Sequence, residues 1–174
     1  MNKGFTLIEL MTTISVIAII SAVVFADFSG TERRLALKQA AYRVAQDIRE
    51  TEQMALGGVN ANCGGLNFCG FGLEFDPLKD TRSYWLFADC ENDCSAGIYK
   101  RDSNDTVVKA VLLSKGIEIK TVSPVNLNVV FSPPDPVVNI NKVAWGTEAE
   151  ITLKTSKDET RKVRVNSAGR IEVE

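Results

Sequence analysis

Glu9 is the only charged side chain in residues 5–26, a run otherwise built of Phe, Leu, Ile, Val, Met, Ala and small hydroxyl residues. A carboxylate within so apolar a run costs roughly 2.5–3.5 kcal/mol at membrane depth, so it marks a function and calls for a partner. The Gly4-Phe5 junction lies one helical turn before it. Cutting that bond frees an α-amino group on the helix face that carries Glu9. The amine of this chain, or of a neighbour in a bundle of parallel helices, supplies the cationic partner.

A second group of reactive residues is Cys63, Cys69, Cys90 and Cys94. Four cysteines allow three disulfide pairings, which sequence leaves open, and the shortest loops favour Cys63–Cys69 with Cys90–Cys94. Zinc is the competing use, but the C-x5-C and C-x3-C spacings depart from the C-x2-C form of such sites. The chain has no histidine, which excludes His-activated serine or cysteine nucleophiles and His-containing metal centres. Its 22 acidic residues follow no catalytic motif, so no catalytic residue, metal site or cofactor is assigned and no enzymatic activity is expected. Asp and Asn oxygens in loops 89–105 suit calcium chemically, yet no EF-hand pattern is present and solvated loop charge is the favoured reading. A net charge of −2 gives no basic field for nucleic acid.

These residues need elements to position them. As a helix, residues 5–26 reach about 33 Å, enough to cross a bilayer's hydrocarbon core. A cleavable secretory signal would show a shorter apolar run and an Ala-x-Ala cut, and residues 23–27 offer none. Lys3 before the run favours a cytoplasmic N-terminus, which places the cysteines in an oxidising exterior. Ser29-Gly30-Thr31-Glu32 has a capping-box pattern, either a new helix start or a joint within one long helix. Leu37, Ala41, Val44, Ala45 and Ile48 follow at helical spacing, opposite Arg34, Lys38, Arg43, Asp47 and Arg49. That stripe predicts an amphipathic helix to about Leu56, ended by Gly57-Gly58 and packed on the chain's own sheet.

From Gly70 the period becomes that of strands, expected at 71–75, 84–88, 107–113, 117–122, 127–131, 149–155, 161–166 and 170–173. Turn-formers separate them, among them Pro133-Pro134-Asp135-Pro136 and Ser167-Ala168-Gly169. Helix first and strands after is an α+β pattern: a long N-terminal helix, transmembrane then amphipathic, packed on antiparallel sheet. The expected division is 1–4 leader, 5–26 membrane helix, 27–58 amphipathic helix and 59–174 β-rich head.

Gly4-Phe5-Thr6-Leu7-Ile8-Glu9-Leu10 resembles the class III signal of type IV pilins and type II secretion pseudopilins. The resemblance implies the pilin fold, cleavage between Gly4 and Phe5 by a prepilin peptidase, N-methylation of Phe5, and a role for Glu9 in ordered addition to a filament. It implies other pilin or pseudopilin subunits and an inner-membrane assembly platform as partners. It also implies a single-pass inner-membrane precursor with an extracytoplasmic head. Many relatives carry Pro where this chain has Ala26, so no proline kink is expected there. Val129-Val130-Phe131-Ser132-Pro133, Glu150-Ile151-Thr152-Leu153 and residues 163–171 resemble the C-terminal pattern of H-type minor pseudopilins and their FimT/FimU relatives. Some FimT-like members bind DNA through Gly-Arg-x-Arg, whereas Gly169-Arg170-Ile171-Glu172 replaces the second Arg with an acid. A structural filament subunit is therefore the favoured reading, with a DNA-binding competence pilin as the alternative.

Overall fold

A computed structural model describes residues 4, 6–59, 61–96, 99–134, 137–141 and 146–174, with backbone alone for 25–29 and 96. One helix, α1, spans Leu7–Leu56. Among the described residues nine strands follow: β1 (Asn67–Phe75), β2 (Ser83–Glu91), β3 (Thr106–Leu112), β4 (Ile117–Ser123), β5 (Leu127–Ser132), β6 (Val137–Ile140), β7 (Glu148–Thr155), β8 (Thr160–Asn166) and β9 (Ile171–Val173). A short 3-10 turn occupies Cys94–Ala96. The α+β expectation holds. By contacts the chain forms two units, Met1–Leu35 and Ala36–Glu174. Helical backbone continues through Ser29 and Glu32, so that capping pattern starts no helix.

In the first unit, residues 7–24 form the one described helix stretch long and apolar enough to cross a membrane. Its Leu, Ile, Val and Met side chains are exposed, from Leu7 to Val24. Thr12, Thr13 and Ser15 each return their hydroxyl to a backbone carbonyl three or four residues earlier, at 3.0, 2.9 and 2.8 Å. Those bonds satisfy the hydroxyls internally, as an apolar surrounding requires.

In the second unit, α1 buries Leu37, Ala40, Ala41, Val44, Ala45, Ile48 and Ala55. The i, i+3, i+4 spacing puts them on one stripe. Gly57 N–H closes the last turn on the Gln53 carbonyl at 2.8 Å, and Gly58 takes φ +64°, the left-handed cap that a side chain disfavours. Against the stripe lie two antiparallel sheets of order β3-β2-β1-β5-β6 and β4-β7-β8-β9. Phe71, Leu73, Phe75, Tyr84, Leu86, Val129 and Phe131 from the first sheet and Ile119, Ile151, Leu153, Val163 and Val165 from the second join the helix in one core.

The eight expected strands are present with ends moved by up to a few residues. β6 was not anticipated, because its four residues follow the Pro133–Pro136 turn-formers and pair only through β5, Val129 opposite Ile140. The first sheet is buried on its other face too. Phe87 and Val130 are fully buried there, and both crowd Gly72, where a Cβ would come within 2.7 Å of Phe87 Cζ and 2.8 Å of Val130 Cγ2. Arg101, in the connection between β2 and β3, lies over this face. It pairs with Glu74, sits 5.4 Å from the Trp85 ring, and donates its backbone N–H to Asn128 Oδ1 at 3.1 Å.

The disulfides are Cys63–Cys90 and Cys69–Cys94, not the short-loop pairs Cys63–Cys69 and Cys90–Cys94. The β1–β2 hairpin is the reason: Phe68 lies opposite Cys90, so cysteines flanking or within one strand meet those of the other. Sequence separations of 27 and 25 residues make each a staple between the hairpin's arms. Loops of that length remove about 3–4 kcal/mol worth of unfolded-chain entropy. Replacing Cys69 and Cys94 together by Ala is expected to lower unfolding stability by about 2–4 kcal/mol in urea titrations. Non-reducing peptide mapping of that variant should still recover Cys63 joined to Cys90.

Candidate functional site

Thr6 and Glu9 form a reciprocal capping box at the start of α1. Glu9 Oε2 accepts the Thr6 N–H at 2.8 Å and the Thr6 hydroxyl at 2.7 Å, while the Glu9 N–H donates to Thr6 Oγ1 at 3.3 Å. The T-x-x-E spacing brings this about, and a negative side chain complements the positive end of the helix dipole. The partner of Glu9 within this chain is therefore the neighbouring amide and hydroxyl. Sequence reasoning passed over Thr6, although the capping-box spacing was present to be read. Gly4 is exposed, and a Cβ there would meet nothing within 4 Å. Phe5 lies outside the described residues.

The second unit, hereafter the head, holds a second polar constellation, also displaced from its expected place. Asp47 belongs to the polar side by simple helical counting, yet it is 5% exposed. Its Oδ2 accepts the hydroxyl of the fully buried Tyr84 and its Oδ1 accepts Lys109 Nζ at 2.9 Å, which also reaches Glu50 at 3.2 Å. Burial, chiefly, and the Asp47 carboxylate push the Tyr84 phenol well above its ordinary range. The hydrogen bond to Asp47 raises the Lys109 ammonium. These bonds tie α1 to β2 and β3. A polar groove of about 930 Å³ runs alongside, lined by Tyr42, Arg43, Gln46, Arg49, Gln53 and this lock.

Arg170, the cation of the Gly-Arg-x-Arg comparison, forms an ion pair with Glu172. Arg164 bridges Glu150 and Glu174, each at 3.0 Å, and Lys162 meets Glu150 at 2.9 Å. Hydrogen bonding from Lys162, above all, holds the Glu150 carboxyl below its ordinary range. The register produces this pattern by setting Glu150 opposite Arg164 and Arg164 opposite Glu172. Alternating signs cancel across the outer face of the second sheet, which leaves little net charge for a phosphate backbone. Among the described residues, no group of three or more Asp, Glu, Cys or His is placed to hold a metal ion.

Residues 1–25 match the family described as the prokaryotic N-terminal methylation motif, which is a type IV pilin-like prepilin signal. No curated protein and no solved structure matches the chain. The motif and the apolar helix together support an N-terminal membrane anchor, and the motif points to a structural subunit and not to an enzyme.

Removing the lock's acceptor separates its structural part from the polar groove beside it. Asp47→Ala leaves a buried phenol without its acceptor, and a loss of about 2 kcal/mol in unfolding stability is expected, against about 1 kcal/mol for Tyr84→Phe. Equal losses from the two variants would mean that the Lys109 pairing adds nothing.

Proposed function

We propose that the chain is a minor pilin or pseudopilin. It is made as a membrane precursor, cut between Gly4 and Phe5 by a prepilin peptidase, methylated on Phe5, and then drawn into a filament by its apolar helix. The observation that carries the reading is the lone Glu9 carboxylate at the start of that helix, inside a matched methylation motif. Three physical points support it. Gly4 meets no packing demand within the chain, so the absence of a side chain there suits a peptidase's active site. The exposed apolar surface of residues 7–24 needs either lipid or neighbouring helices, and Thr12, Thr13, Ser15, Ala18, Ser21 and Ala22 are small enough for close helix packing. Glu9 would exchange its Thr6 cap for the α-amine of an incoming or preceding subunit, which sets axial register, a role attested for buried polar groups elsewhere.

Within that class, the 129–171 pattern favours an H-type minor subunit of a type II secretion pseudopilus or a related pilus, recruited through the inner-membrane assembly platform. The head would then lie on the extracytoplasmic side, where its two disulfides form. The DNA-binding alternative draws no support from the outer sheet, because Arg170 and Arg164 already face Glu172, Glu150 and Glu174.

Intact mass and N-terminal sequencing of the protein from cells that assemble filaments should show Phe5 first, with one added methyl group and two disulfides. Gly4→Asp should keep the leader and fail to enter filaments. Glu9→Ala should be inserted and processed yet lose most incorporation; full incorporation of that variant would overturn the register role. Salt-sensitive DNA binding by the protein, lost on Arg170→Ala while filaments persist, would favour the alternative.

A further inference from the structure

Asp89 is the buried acid of the head that the assembly reading does not use. It follows Trp85 and Phe87 on the outer face of the first sheet, is 1% exposed, and its Oδ1 has no hydrogen-bond partner. Among the described residues the charges that act on it are acidic: Asp105 and Asp102 from the connection before β3, and Glu91 two residues along β2. Arg101 of that connection is taken up by Glu74 and the Trp85 ring. Residues 99–105 act as a strap across this face, and Asp105 fastens its far end. One Asp105 oxygen accepts the Cys90 N–H at 2.8 Å and the other accepts the Asp102 N–H at 2.8 Å. Cys90 adjoins Asp89 and is disulfide-bonded to Cys63, so the fastening point cannot drift from the buried acid.

We propose that Asp89 is a proton-operated latch for the 99–105 strap: the neutral acid lets the strap close over the sheet, and the carboxylate, among Asp105, Glu91 and Asp102, loosens it. Burial first, then Asp105, Glu91 and Asp102, push the Asp89 carboxyl up to about 7 from an ordinary value of 3.8. Burial also raises Asp105. A folded-state value above the unfolded one means that the closed form holds the extra proton between about pH 4 and pH 7. Closure is therefore firmest below about pH 4, weakens as pH rises through that window, and levels off above about pH 7, where Asp89 is ionised in both forms. The strap carries Arg101 and covers the Trp85 side of the sheet, so the acidity of the medium sets which surface the head presents.

Hydrogen–deuterium exchange on the full-length protein in detergent micelles, corrected for the intrinsic pH dependence of amide chemistry, tests the latch. Wild-type protection over residues 99–107 should fall at least tenfold from pH 5 to pH 8, while β7 and β8 change little. In Asp89→Asn the strap should stay protected at both pH values. In Asp102→Asn, which keeps an oxygen to accept the Asn104 N–H, the midpoint of the transition should move to lower pH, since one opposing charge is gone. Flat wild-type protection, or a wild-type slope retained in Asp89→Asn, overturns the proposal. So does recovery of protection at pH 8 on adding millimolar calcium chloride, which would make the acidic group a cation site. If Asp89→Asn does not fold, the wild-type profile and the Asp102→Asn midpoint decide.

Discussion

The second half of α1 has one apolar stripe and two sheets to cover, and the head is organised by that constraint. Ala40, Ala41, Ala45 and Ala55 are small, so strand side chains as large as Phe71, Phe75 and Tyr84 can fill the space against the helix without voids. Two sheets share the stripe, which is why the single core draws on β1, β2 and β5 as well as β4, β7 and β8. Each sheet has an apolar inner face that needs a second layer, and the helix contributes to that layer for both. The Tyr84–Asp47–Lys109 bonds then fix the rotation of the helix about its own axis, a choice that apolar contact, being non-directional, does not make.

The first unit is governed by the opposite condition. Its apolar side chains are exposed from Leu7 to Val24, and the hydroxyls of Thr12, Thr13 and Ser15 are turned inward to the helix backbone. Such a surface is suited to an apolar solvent or to like helices. Within it Glu9 stands out as a charge capped by the Thr6 amide and hydroxyl, which lie at the helix end and not in a packed core.

Charge in the head falls into three physical situations. On the outer face of the second sheet, opposite signs alternate along the ladder and remain solvated, so each pair contributes little beyond keeping net charge low. Glu74 and Asp47 are buried but met by Arg101, Lys79, Lys109 and Tyr84. Asp89 is buried with acidic neighbours and an unsatisfied oxygen. The first two situations stabilise or are neutral; the third stores a dependence on protons, because a carboxyl without donors favours its neutral form.

The chain's own residue order determined a good deal. The apolar run with one acid, the methylation motif that contains it, the helical stripe ending at Gly57-Gly58 and eight of the strands follow from patterns read over a few neighbouring residues, where periodicity and turn chemistry act. Tertiary structure decided the rest. Cys63 pairs with Cys90 and Cys69 with Cys94 because the β1–β2 register sets segments side by side that are 25 or more residues apart. β6 exists because β5 offers it an edge. Asp47 and Asp89 look like solvent residues in any local window, and only the strand or strap laid over each one made it buried. Such cases escape sequence reading for one reason: burial and pairing are properties of what arrives from elsewhere in the chain, and no local pattern records it.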